Sequence, residues 1–173
     1  MIFISGVHGV GKSYFCNLLK NRLGVVSYSA STLIADKKNA GFFPDKLVAD
    51  IDENQFYLLE AVRELRERGD EFLLDGHFCL LNKKGLITRI PIDTFTTLAP
   101  DAIVLLTEDP NIIAKRRQDR DGIQHSISDI QAFQDAEKAY ANEVAELLGV
   151  PLKVSAGSKD VDRTIEFIKN RRD

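Results

Sequence analysis

Short apolar runs of strand length alternate along this chain with segments in which apolar residues return every three or four positions. The first pattern suits strands buried on both faces, and the second suits helices with one buried stripe. Residues 2–5, 25–26, 72–75, 102–106 and 152–154 therefore read as five short strands. Phe15, Leu18 and Leu19 mark the first helix, which Gly24 stops. Ile51, Leu58, Leu59, Val62 and Leu65 mark a longer one that Gly69 closes, and serines within 27–31 offer N-caps for another. Asp109 followed by Pro110 supplies a cap and a proline at the first helical position. Ser128, three residues before Gln131, predicts a capping box for a helix running towards Leu148. Val161, Ile165 and Ile168 share one face of the closing helix. Strands alternating with helices predict an α/β fold: a three-layer sandwich around a parallel five-stranded sheet.

Composition narrows this picture without changing it. With 173 residues, 44% of them hydrophobic and 28% charged, the chain is long enough to bury a core of its own, and one domain over 1–173 is expected. No apolar run approaches the roughly 20 residues of a membrane-spanning helix, so a cytoplasmic protein without membrane contact is expected. Cys16 and Cys79 lack metal-ligand spacing and read as reduced, apolar fillers. A net charge of −3 argues against non-specific nucleic-acid binding, which needs a basic face to displace counterions. It leaves a protein partner open.

The chemistry concentrates after the first strand. Gly6-Val7-His8-Gly9-Val10-Gly11-Lys12-Ser13 fills every place of G-x-x-x-x-G-K-[ST] between a strand and a helix, the context in which that loop cradles phosphates. Gly6, Gly9, Val10, Gly11, Lys12, Ser13 and Tyr14, together with His77 further along the chain, are the candidate ATP-binding residues. Lys12 is expected to reach the β- and γ-phosphates, and the Ser13 hydroxyl to hold the magnesium ion between them. Asp75 ends an apolar strand, and so lies at the carboxyl edge of the sheet, where α/β folds bind ligands. It is the second candidate magnesium ligand. His77, two residues on, is expected on the same side, His8 to face solvent or a lid, and His125 to lie at the surface. Lys115, Arg116, Arg117 and Arg120 end the helix begun at Pro110, with Arg116 and Arg120 four residues apart on one face. Arg116 and Arg120 are candidates to stabilise transferring phosphate oxygens, with a short lid over 116–128. Cations in a last helical turn also complement the helix dipole without any ligand, the preferred reading for Arg117.

With the phosphate loop, Asp75-Gly76-His77 and the arginines in hand, the chain resembles the compact archaeal-type adenylate kinases and the related eukaryotic nuclear adenylate kinases. Their loop is followed by an apolar strand ending D-x-H, then by a strand and an Asp-Pro helix leading into lid arginines. The match covers most of the chain. It implies a P-loop kinase fold and transfer of the γ-phosphoryl group of magnesium-ATP to AMP or a similar nucleoside monophosphate. It also implies an acceptor-binding segment near 28–55. The families often carry a glycine-aspartate pair where Tyr28-Ser29-Ala30-Ser31 stands, proline at His8, and, in archaeal members, arginine at Lys138. Two other readings stay open: a kinase of another small metabolite or nucleoside, and a P-loop ATPase module acting on a macromolecule.

Overall fold

A computed structural model describes residues 1–40, 50–82, 84–156 and 160–171, without the side chains of 50–52. The expected place of Ile51 on its helix face, and residues 41–49 of the expected acceptor segment, lie outside the described residues. Five strands form one parallel sheet: β1 (Ile2–Ser5), β2 (Val26–Ser29), β3 (Phe72–Asp75), β6 (Ala102–Thr107) and β7 (Leu152–Ala156). Their order is β2-β3-β1-β6-β7. All four residues of β1 are buried, because the central strand is covered on both faces and paired on both edges. The strand expected at 25–26 starts at Val26 and runs to Ser29, with only half-buried or exposed positions, as an edge strand allows.

Helices flank the sheet. α1 (Lys12–Leu23) packs on β2 and β3, and Gly24 ends it in the left-handed conformation, φ 64°, its N–H donating to the Lys20 carbonyl. Ser29 caps α2 (Ala30–Asn39) through its backbone conformation alone, and α2 packs on α3 (Asp50–Glu67). At α5 (Pro110–Asp121) the Asp109 carboxylate accepts from the Asn111 N–H at 2.8 Å, with Pro110 at the first position, as expected. The capping box at Ser128 is corrected. α6 (Ile127–Leu148) starts two residues earlier than that cap requires: Ser126 is the cap and accepts from the Asp129 N–H, while Gln131 donates to Asp135. α7 (Val161–Lys169) buries Ile165 and Ile168 beside β7.

Two features have no counterpart in the sequence expectations. An antiparallel hairpin, β4 (Cys79–Leu81) with β5 (Ile87–Arg89), follows β3, and a short helix α4 (Ile92–Leu98) follows the hairpin. Three-residue strands are too short to display a period. The region matters because Phe78, just before β4, and Phe95, in α4, join an aromatic cluster with Phe3 of β1. Phe3 meets Phe78 edge-on at 5.2 Å between centroids, Phe78 meets Phe95 at 4.7 Å, and Tyr140 closes the cluster on Phe95 at 6.0 Å. Cys16 and Cys79 are free and buried, and burial pushes their thiols up to about 12 and about 11. Among the described residues no helix is long and apolar enough to cross a membrane.

Candidate active site

The turn from β1 into α1 is built around backbone that side chains would obstruct. Gly6, at φ 146°, lies so close to β6 that a Cβ there would stand 2.7 Å from the Leu106 carbonyl oxygen. Gly11 occupies the N-cap of α1 in the left-handed region and brings no capping side chain, so the first N–H groups of α1 are left for an anionic ligand. The loop can therefore wrap a phosphate with backbone donors and the positive end of a helix.

Lys12 is 9% exposed, and its ammonium donates to the Gly6 carbonyl at 2.7 Å. The Asp75 carboxylate lies 3.9 Å from it and His77 Nε2 lies 3.4 Å from it. The three side chains expected to share the site thus meet at one nitrogen. Burial lowers the pKa of Lys12, opposed by the charge of Asp75; burial raises that of Asp75, opposed by Lys12. Each charge is worth more here than in water, because few waters screen it. Burial drives His77 down to about 2, helped by Lys12 and by His8. His77 is thus a neutral imidazole, and its Nδ1 is buried without a hydrogen-bond partner. His8 is exposed, as expected, and its ring lies over that of His77 at 4.3 Å between centroids.

The arginines divide. Arg116 reaches the loop, donating to the Val10 carbonyl at 3.0 Å and pairing with Glu108 at 3.3 Å. Arg120 lines the same cavity while its guanidinium forms two 2.6 Å bonds to the Asp121 carboxylate. Arg117, for which the dipole reading sufficed, in fact crosses the loop: its Nε donates to the His8 carbonyl at 2.8 Å, and Nη2 is buried without a partner. Lys138 is exposed and does not line the cavity, and His125 is half-buried rather than at the surface.

From the loop a cavity of about 660 Å³ runs past Ser13, Tyr14, Asp75 and His77 to a second wing between α2, α3 and α4. The wing is walled by Phe3, Ile34, Leu58, Phe95 and Leu98. Asn54 and Gln55 also line it, and each has a buried amide oxygen with no partner; Gln55 is 6% exposed. On the other side of Gly11 and Tyr14, a cavity of about 410 Å³ opens beside Val10, Phe15, Thr107 and Val161.

Residues invisible to the sequence expectations hold this arrangement from behind. Glu137 of α6 is 1% exposed; its Oε1 accepts from Ser5 Oγ at 2.5 Å and from the Phe78 N–H at 2.9 Å, and its Oε2 accepts from the Cys79 N–H at 2.7 Å. Three residues earlier, the Gln134 amide exchanges two bonds with the backbone of Glu108. Three residues later, the Tyr140 hydroxyl donates to the Ile90 carbonyl. A signal existed: Glu137 occupies the same helical phase as Ile130, Phe133, Tyr140, Ala141 and Val144, a carboxylate inside an apolar stripe.

Fold and site together define a P-loop kinase, an ATP-dependent phosphotransferase. A family described as an AAA domain matches residues 5–134, and the chain belongs to that family. It is 24% identical over 160 residues to an adenylate kinase of Thermoplasma acidophilum, spanning 87% of this chain and 86% of that one. It is 29% identical over 149 residues to an adenylate kinase of Pyrobaculum aerophilum, spanning 81% and 76%. Among solved structures, a gluconokinase from Sinorhizobium meliloti superposes with a TM-score of 0.54 at 18% identity over 98% of this chain and 95% of that one, which speaks to the fold alone.

Proposed function

We propose that the chain transfers the γ-phosphoryl group of magnesium-ATP to a nucleoside monophosphate, AMP being the first candidate. The observation that carries this reading is the two-winged cavity: one wall holds the phosphate loop, and the other is apolar and ends in the unpaired amide oxygens of Asn54 and Gln55. A flat heterocycle with N–H donors fits that wing, because only a donor relieves a buried acceptor of its desolvation cost. ATP would lie with its phosphates in the loop and its base in the smaller cavity beyond Tyr14. The acceptor phosphate would then face the γ-phosphate beside Asp75.

An ionised phosphate needs no strong base to attack, so the residues act by position and charge. Lys12 would bind the β- and γ-oxygens. Arg116 and Arg120 would meet charge that grows on the equatorial oxygens as transfer proceeds. Among the described residues no group of three or more histidines, cysteines and carboxylates converges. The oxygen donors Ser13 and Asp75 on one cavity nevertheless suit magnesium, which takes few protein ligands and keeps phosphate oxygens and waters for the rest. Bound there, the ion would neutralise phosphate charge. The segment over 28–55 would form the acceptor wing and 116–128 the lid, within one domain in the cytoplasm.

One observation favours a second reading. Among the described residues that line the cavity, the cations Lys12, Arg116 and Arg120 all come from the phosphate loop and α5. An uncharged hydroxylated acceptor would suit a wing whose described lining carries no cation, with Asp75 taking the hydroxyl proton. Incubation with magnesium-ATP and a panel of nucleoside monophosphates, nucleosides and sugars, with all products quantified, tests both. We expect two ADP for each AMP consumed, and no product from Lys12→Ala. A phosphorylated neutral metabolite would replace the first reading with the second; phosphate release alone would overturn both.

A further inference from the structure

We propose that Glu137 is a positioning residue for phosphoryl transfer, a clamp that fixes from behind the two chain segments between which the Lys12 ammonium is held. The proposal rests on the phosphotransferase reading. Ser5, bonded to Glu137, directly precedes Gly6, whose carbonyl receives the Lys12 ammonium at 2.7 Å. Phe78, also bonded to Glu137, directly follows His77, whose Nε2 lies 3.4 Å from that ammonium. One carboxylate therefore bonds the neighbouring residue on each side of the lysine. A slip of either segment would carry the lysine's partners with it.

Attachment of α6 to the body of the protein does not need this group. Ile130, Phe133, Ala141 and Val144 bury the same face of the helix in the core. A buried carboxylate is a costly way to fill space, and it persists where hydrogen bonds satisfy its oxygens. Here the three donors are Ser5 at the carboxyl end of β1 and Phe78 and Cys79 in the segment that leads from β3 into β4, which border the cavity's cationic corner. Gln134 extends the pattern, since it bonds the backbone of Glu108, whose carboxylate pairs with Arg116. One stripe of α6 thus reaches the phosphate loop, the Asp75–His77 segment and an arginine at once. Burial lowers the pKa of Lys12, and the charge of Glu137 opposes this after that of Asp75, while burial raises the pKa of Glu137 itself.

Glu137→Gln tests the clamp at nearly constant volume. The amide keeps one oxygen for Ser5 and Phe78, but turns an NH₂ towards the Cys79 N–H, donor against donor. Ser5→Ala removes one arm, and Tyr140→Phe, on the same helix, is the control for a lost hydrogen bond outside the clamp. All variants are compared with wild type at a temperature where each is folded, by steady-state kinetics and by titration calorimetry with ATP and ADP. For Glu137→Gln we expect kcat to fall about 10- to 100-fold, the scale of reactant misplacement. The acceptor KM should change by about threefold at most, as for a group acting on the transition state. The preference for ATP over ADP should shrink in Glu137→Gln and Ser5→Ala and persist in Tyr140→Phe. A folded Glu137→Gln with wild-type kcat and wild-type preference would overturn the proposal, as would equal losses in Tyr140→Phe. If Glu137→Gln does not fold, Ser5→Ala decides by the same two readouts. If the wild-type protein phosphorylates none of the acceptors, the functional reading fails and the ATP-over-ADP preference alone decides for Glu137.

Discussion

His77 shows how far one position can depart from the chemistry of its side chain in water. Lys12 stands 3.4 Å from its Nε2, His8 covers its ring, and burial, the largest cause, makes a proton there unfavourable. The unfolded chain takes up that proton near pH 6.5, whereas the folded chain refuses it until about pH 2. Between those values the unfolded state binds more protons, so stability must rise with pH. Asp75, whose pKa is raised by burial, contributes with the opposite sign. The comparison of wild type with His77→Gln removes that contribution. Urea unfolding at pH 7, 6 and 5 should show wild type losing stability towards acid, with His77→Gln losing less by the slope of about one proton. Parallel pH dependences would mean that His77 takes up its proton over the same pH range in the folded chain as in the unfolded one.

At the scale of elements, the arrangement turns on α5 and α6. α5 delivers its arginines to the loop at different depths: Arg116 and Arg117 bond loop carbonyls, whereas Arg120 pairs with Asp121 at the helix end. In the proposed reaction, with 116–128 as the lid, Arg120 would exchange its neighbour Asp121 for the ligand on closure, so its effect should appear in the transition state. For Arg120→Ala we expect kcat to fall on the order of 10²-fold, while ATP affinity measured by calorimetry changes several-fold at most. An affinity loss as large as the loss in kcat would assign Arg120 to ground-state binding.

The same two helices explain what the sequence could reveal. The phosphate loop was legible because its glycines, lysine and serine act within eight consecutive residues, through backbone geometry that the local sequence dictates. Asp109-Pro110 was legible for the same reason. Glu137 was not, because its partners lie 58, 59 and 132 residues away and only the tertiary fold brings them together. Arg117 and Gln55 were hidden likewise, each defined by the space around it. The misplaced cap of α6 has a local cause: Ser126 and Ser128 both offer hydroxyls, 2.9 Å apart, and sequence spacing alone does not choose between them.

On the scale of the whole molecule, the order β2-β3-β1-β6-β7 places the first strand of the chain in the middle of the sheet. Ile2 pairs with Leu73 on one side and with Ala102 on the other. The phosphate loop is therefore complete as sequence by Ser13 but complete as structure only when β6 has docked, since Leu106 forms the wall against Gly6. A fragment ending at Asp101 contains the entire G-x-x-x-x-G-K-[ST] motif, and calorimetry should find that it binds ATP far more weakly than the whole chain. Equal affinity would show that the loop organises itself without β6. On a ribosome the consequence is a delay. At about 5–20 residues per second, roughly 5–20 s separate the emergence of the first strand from that of its second partner. For that interval one edge of a strand destined for full burial has no mate within the chain, and its protection depends on whatever meets the nascent polypeptide at the exit tunnel.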